Sequence, residues 1–237
     1  MYIKNPAKRL KKFWGKVDAK HVNLIKSHVK GISICDMGSG YGTTTAQLTK
    51  AGFQCTGIDF DSETVERSKA LFPGCVFIAA NAENLPFPDK CFDTIILRDA
   101  LHHFYEEANF SKVKNEILRV SKDKCTLIFF DPNVNLILKT MRRISAHNDA
   151  ECDYEEALQI MNELKFSLTY SSFNTLYSLP LSGGYVGINF IPNIRFIQSA
   201  VLKTESLAEK LVSSLKLGRY LCWRYIIVGE KSKLFDY

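Results

Sequence analysis

The sequence predicts an α/β fold, with seven strands in a mostly parallel sheet, helices on both faces and a helical cap. Short β-like runs alternate with segments of helical spacing over the first 130 or so residues, the pattern of strand–helix–strand crossovers and therefore of parallel pairing. A Gly-rich turn stands where the first strand gives way to the first helix, the position at which such sheets hold ligands. A hydrophobic content of 46% in 237 residues supplies enough apolar surface for the core this requires.

In chain order, strands are read at residues 32–35, 54–58, 75–79, 94–97 and 126–130. Between them, helices are read at 43–50, at 62–71 and at about 106–121, where Val113, Ile117 and Val120 recur at i, i+4 and i+7. Ser62 is the expected N-cap of the second helix, with Glu63 and Glu66 in its favourable first turn. After Asp131-Pro132-Asn133 the alternation weakens. A helix carrying Leu136, Leu138, Met141 and Ile144 is expected, then a second through Lys165 opened by Asp153-x-x-Glu156. Two late strands are placed near 167–173 and 221–228, separated by an apolar segment broken by Gly and Pro and by a helix at about 205–217.

Composition removes several function classes. The 24% charged residues and the periodic apolar segments argue against wholesale disorder, and no run of about 18 apolar residues offers a membrane span. The basic N-terminus lacks the apolar core and cleavage site of a secretory signal, so a cytoplasmic protein is expected. The seven cysteines are odd in number, scattered and without a C-x-x-C pair, which points to free buried thiols and no metal site. The net charge of +6 is uneven: residues 1–30 hold nine Lys/Arg against one acid, leaving −2 for the remainder. That segment is able to meet an anionic substrate, nucleic acid or an acidic membrane surface.

The chemistry-bearing turn reads Asp36-Met-Gly38-Ser-Gly40-Tyr-Gly42-Thr43. Glycines there permit positive φ and close approach of a ligand to the backbone, and an acid at the strand end can receive an ammonium. The dinucleotide pattern G-x-G-x-x-G/A fails, because the last position counted from Gly38 is Thr43. The turn instead resembles the first motif, D-x-G-x-G-x-G, of class I S-adenosylmethionine-dependent methyltransferases, which share a Rossmann-like fold. One helix and one strand later, Gly57-Ile58-Asp59-Phe60 is similar to the family segment whose acid binds the ribose hydroxyls. Phe60 matches the residue beside the adenine face. Residues 81–93, beginning Asn81-Ala82 and running through Leu85-Pro86-Phe87 to Phe92-Asp93, resemble a further family stretch, with Asn81 in place of the usual Asp. An amide oxygen there can still accept from the adenine amino group.

The fourth strand leads into Arg98-Asp99-Ala100-Leu101-His102-His103, similar to the family segment that faces the methyl and its acceptor. The resemblance covers residues 31–131. It implies a cofactor set of Asp36, Gly38, Gly40, Gly42, Asp59, Phe60, Asn81, Ala82 and Arg98. The catalytic candidates are His102 as a base, Asp99 orienting it or contacting the cofactor's ammonium, and His103. The implied function is methyl transfer from S-adenosylmethionine to a small-molecule acceptor, hydrophobic or lipid-like in character. The alternatives are a nucleic-acid methyltransferase, disfavoured by the lack of [DNS]-P-P-[YFW] after the fourth strand, and a non-catalytic binding subunit. In domain terms, residues 1–30 are read as a basic helical lid, 31–133 as the cofactor-binding core, and 134–237 as cap helices plus the remaining strands, the last of them antiparallel as in the family. The apolar stretch 179–192 is broken too often to span a bilayer, yet suits a greasy ligand or a weak peripheral contact with lipid.

Overall fold

The computed structural model describes residues 11–107, 110–144, 151–183 and 190–231. The element order is α1 (Phe13–Lys26), β1 (Ser33–Met37), α2 (Thr43–Lys50), β2 (Gln54–Asp59), α3 (Ser62–Leu71), β3 (Val76–Ala79), β4 (Phe92–Arg98), α4 (Leu101–Glu107), α5 (Phe110–Val120), β5 (Ser121–Pro132), α6 (Leu136–Ile144), α7 (Tyr154–Glu163), β6 (Phe166–Asn174), α8 (Ser178–Leu181), α9 (Arg195–Ser214), α10 (Gly218–Leu221) and β7 (Arg224–Lys231). The seven strands form one sheet in the order β3-β2-β1-β4-β5-β7-β6.

The pairs β1–β2, β1–β4, β2–β3 and β4–β5 are parallel, as right-handed crossovers through helices require. The chain order reverses at β1: β2 and β3 lie to one side and β4 to the other. That reversal opens a crevice at the carboxyl ends of β1 and β4. β7 runs against β5. Asn133, just past the end of β5, donates its N–H to the Trp223 carbonyl just before β7 (2.8 Å), whereas Lys231 at the end of β7 reaches the Ser121 carbonyl at the start of β5 (3.0 Å).

The chain separates into two compact units, neither of them contiguous. One comprises residues 25–131, 150–171 and 226–237; the other comprises 1–24, 132–149 and 172–225. In the first unit the central strands bury Ile34, Cys35, Ile95, Ile96, Leu127, Ile128 and Phe129 completely. Such unbroken apolar runs belong to strands covered on both faces, whereas β5 also extends through the polar residues 121–124 ahead of the expected 126–130. In the second unit Leu138, Leu179 and Trp223 form a buried cluster, with Trp14 packed against it.

Local sequence accounts for most boundaries; β5 starts at Ser121, ahead of the expected 126, β7 runs over Arg224–Lys231 where 221–228 was expected, and three helices also differ. The cap of α3 is Asp61, whose carboxylate accepts from the Glu63 N–H (3.1 Å) and the Thr64 hydroxyl (2.6 Å), while Ser62 is already helical. A carboxylate at the positive helix end is the stronger acceptor. The helix expected at 106–121 is two, α4 and α5, the first starting at Leu101 directly after a left-handed turn at Asp99 (φ 54°). The helix expected at 205–217 starts ten residues earlier, at Arg195. Asp153 and Glu156 do form a reciprocal capping box at the start of α7. Part of the 179–192 stretch, residues 184–189, and residues 1–10 of the basic N-terminus lie outside the described residues. Among those described, no helix is long and apolar enough to cross a membrane. All seven cysteines are free thiols.

Candidate functional site

The crevice at the carboxyl ends of β1, β2 and β4 holds a cavity of about 380 Å³. Its walls are mostly apolar, as small-molecule sites are. Met37 ends β1 and Ile58 is the last residue but one of β2, Ala80 and Ala82 follow β3, and Ala100 and Phe104 belong to the turn and helix after β4. The polar groups that reach it are few.

The turn after β1 forms one wall. Gly38, Gly40 and Gly42 all have positive φ (75°, 50° and 74°), a region that costs an L residue roughly 1–2 kcal/mol. The glycines differ in what surrounds them. A Cβ on Gly38 would lie 2.6 Å from the Ala100 Cβ, and one on Gly42 2.4 Å from the Phe77 ring, so both are demanded by packing. At Gly40 a Cβ would meet nothing within 4 Å, and Gly40 borders the cavity: its missing side chain is room for a ligand. The loop's N–H groups, by contrast, are committed inside the protein. Gly38 and Ser39 donate to the Ile58 carbonyl (2.8 Å each) and Gly40 donates to Asp59 Oδ2 (2.8 Å). The turn therefore offers a ligand close contact more than donors.

Asp59, the last residue of β2, is fixed on both oxygens. Oδ2 accepts from Gly40 and Oδ1 from the Asp61 N–H (3.1 Å), leaving each oxygen a further acceptor site at the cavity edge. Phe60 beside it is 80% exposed and lines the cavity, an aromatic face available to a planar group. Asn81 is exposed between Ala80 and Ala82, and its Oδ1 accepts from the Glu83 N–H (2.8 Å) to form an Asx turn. Asn81 itself does not border the cavity; its two neighbours do.

Asp36 and Arg98 sit behind the wall. Asp36 is buried and its Oδ2 accepts from the Thr45 N–H (3.0 Å) and hydroxyl (2.6 Å), pinning the first turn of α2 to the end of β1. Burial pushes its carboxyl up to about 6, a rise that the Thr45 hydroxyl and the Arg98 guanidinium oppose. Arg98 donates to the Thr44 hydroxyl (3.1 Å) and lies 5.8 Å over the Phe130 ring. Neither residue borders the cavity.

The segment after β4 divides its candidates. Asp99 borders the cavity in a left-handed conformation rare outside Gly and held by its N–H donating to the Phe130 carbonyl (3.0 Å), the sort of backbone strain that gathers at functional sites. Of the two histidines, His103 lines the cavity. His102 is buried, its Nδ1 lying 3.1 Å from Oδ1 of the fully buried Asp131, and its ring is 4.2 Å from that of His103. The sequence pointed to His102 as the base; the structure instead buries His102 against Asp131 and leaves His103 as the histidine that borders the cavity. Sequence reading missed Phe104 and Ala100, which carry no chemical signal, and Thr45, whose role appears only once α2 is folded back on β1.

With this geometry in place, comparisons with known proteins bear on the site. Residues 35–129 match the family model of the methyltransferase domain. The methyltransferase YcgJ of Bacillus subtilis (strain 168) is 32% identical over 103 residues, 41% of this chain and 40% of that protein. A demethylmenaquinone methyltransferase of Paenarthrobacter aurescens (strain TC1) is 27% identical over 191 residues, 73% of this chain and 72% of that one. The chain spans 40% of the length of each of the first curated relatives it matches. Among solved structures, a SAM-dependent methyltransferase from Archaeoglobus fulgidus superposes with a TM-score of 0.66 at 15% identity, covering 92% of this chain and 94% of that one. The fold is thus the Rossmann-like one shared with that enzyme.

Proposed function

We propose that the chain, whose residues 35–129 match the model of the methyltransferase-domain family, is an S-adenosylmethionine-dependent methyltransferase acting on a small, hydrophobic acceptor. The observation that carries this reading is the pairing of Gly40, where a Cβ would stand in open space beside the cavity, with Asp59, whose carboxylate is clamped at the cavity edge. A nucleoside with an amino-acid tail fits such a cradle. Asp59 holds the ribose hydroxyls, the exposed Phe60 ring and Ala82 flank the base, and the Gly38–Gly40 turn lets the tail lie against the backbone. The apolar walls also suit a greasy acceptor, and the Paenarthrobacter relative is named for a quinone of that kind.

When bound, S-adenosylmethionine supplies a methyl group already activated by its sulfonium. The protein's work is alignment and exclusion of water. Ala100 and Phe104 wall off the cavity beside the turn, and the left-handed Asp99 fixes where the chain leaves β4. His103 stands in the wall as the group able to take a proton from an O–H or N–H acceptor, and His102, tied to Asp131, backs its ring.

Replacing Asp59 by Ala is expected to cost about 1.5–3 kcal/mol of cofactor affinity, the worth of hydrogen bonds to a charged group. Titration calorimetry with S-adenosylmethionine measures this directly, and unchanged affinity removes Asp59 from the site. Incubation with methyl-labelled S-adenosylmethionine and lipid-extracted against aqueous cell fractions locates the acceptor. Label appearing only in the aqueous fraction refutes the hydrophobic acceptor.

A further inference from the structure

Helix α9 is amphipathic in the wrong direction for a free surface. Its only fully buried residues are Gln198 and Glu205, both polar. Glu205 Oε1 accepts the N–H groups of Leu176, Tyr177 and Ser178 (3.0, 2.9 and 2.7 Å), and its Oε2 meets Lys20 (2.6 Å). One turn on, Glu209 meets the same ammonium (2.7 Å) and the Thr175 N–H (2.6 Å). At 3.6 residues per turn, Gln198, Glu205 and Glu209 share one side of the helix. The opposite side, an arc of about 100° by the same geometry, carries Phe196, Lys203, Leu207, Lys210 and Leu211. Phe196 is 81% exposed, Leu207 67% and Leu211 60%. The apolar face continues past the helix through the exposed Leu215, Leu217 and Tyr220, with Lys216 and Arg219 among them.

Charge says what covers this face. Between residues 190 and 221 there are five Lys/Arg, and the only two acids are the inward Glu205 and Glu209. The segments of this whole unit hold sixteen Lys/Arg against four acids, a formal +12, which leaves −6 for the other unit. Beside Leu202 and Leu207 lies an open groove of about 420 Å³, mostly apolar, into which Lys20, Lys203 and Lys210 reach. A second copy would set cation against cation across a two-fold contact, and a neutral apolar partner would offer Lys203 and Lys210 no counter-charge. Acyl chains beneath anionic headgroups satisfy both the leucines and the lysines, as in helices that lie in the plane of a membrane interface.

We propose that the outward face of α9 and the turn after it dock on an anionic lipid surface. This moves the lipid contact that the sequence put on the 179–192 stretch and the basic N-terminus onto a helix the sequence had partly read as loop. The docking stands independently of the methyl-transfer reading, and would bring the chain to where a lipid-dissolved acceptor resides.

The test is cosedimentation of the full chain with vesicles of phosphatidylcholine alone and of phosphatidylcholine with 30% phosphatidylglycerol, about a third anionic, chosen to give a clear surface charge. Binding is expected to the anionic vesicles and to fall as salt rises through about 0.1 M, where the Debye length is about 10 Å. The double variant Leu207→Ser/Leu211→Ser should lower partitioning about tenfold or more through lost apolar burial. Lys203→Gln and Lys210→Gln should each lower it about fivefold and flatten the salt dependence. All four positions are exposed, and circular dichroism with S-adenosylmethionine calorimetry on each variant verifies that the fold and cofactor site are intact. Absence of binding to anionic vesicles at low salt overturns the proposal even if cofactor binding is normal. So does equal binding by the Leu207→Ser/Leu211→Ser protein, or a wild-type dimer in sedimentation equilibrium that the same variant abolishes without any vesicle binding.

Discussion

Two adjacent histidines take opposite surroundings, one in the cavity wall and one on a buried carboxylate, and their substitutions should separate accordingly. His103→Ala is expected to leave cofactor affinity near normal and to lower single-turnover rate about 10²- to 10⁴-fold for an acceptor that loses a proton, with the rise of rate with pH lost as well. His102→Ala leaves Asp131 buried without its imidazole, and should lower the melting temperature first. A His103→Ala protein with full turnover at every pH removes the base. Asp36 gives a pH test of a different kind. Its carboxyl titrates near 6 when folded and near 3.8 when free, so the folded state binds the extra proton and this contribution to stability is complete below about pH 3.8. It is lost as pH rises through about 6. Relative to Asp36→Asn, wild-type stability in urea should therefore decline between pH 4 and 6.5 by an amount on the order of 2–3 kcal/mol. A flat difference between the two proteins contradicts it. Residue type and position at Asp36 were legible in the sequence. The direction of its carboxylate was not, because the partner, Thr45, lies nine residues on in a helix whose docking sets the contact.

Among elements, the turn between β1 and α2 shows how three similar glycines do different things. Gly42→Ala should unfold the site: positive φ and a 2.4 Å approach to Phe77 act together, at a cost of about 2 kcal/mol or more. Gly40→Ala has only the backbone cost of roughly 1–2 kcal/mol, so the protein should fold, while its new methyl group occupies the cradle and weakens S-adenosylmethionine. Thermal melts and calorimetry on the pair read these apart, and a Gly40→Ala protein that binds normally contradicts the cradle. Elements whose rules are local were legible: α2 at both ends, α3 in its span though not in its cap, and the Asp153–Glu156 box of α7. α9 was not, because periodicity analysis looks for an apolar face turned inward, and this helix turns its polar residues inward.

At the scale of the whole molecule, the parallel character of the sheet followed from alternation, but the strand order and the division into units did not. Each unit gathers three separate stretches of chain, a property that no local signal encodes. The hub of the more basic unit is Lys20 with Glu205 and Glu209. Burial works against the Lys20 ammonium, yet the two carboxylates hold its pKa above the ordinary lysine value; burial raises Glu209, while at Glu205 the ammonium and the backbone N–H groups outweigh burial and hold the carboxyl below its usual range. Glu205→Ala strips three N–H groups and half of an ion pair of their acceptor, and should cost about 3–5 kcal/mol in denaturant unfolding, whereas Glu205→Gln should cost less. Equal losses would assign the effect to charge alone. β7, finally, is the last of the seven strands to be synthesised, yet it lies between β5 and β6. A nascent chain leaving the ribosome must therefore keep a strand-wide gap open for some fifty residues after β6 has emerged, with both flanks able to pair with the wrong strand. Stalled or truncated chains that stop short of Arg224 are the form of this protein on which chaperones and proteases should act most.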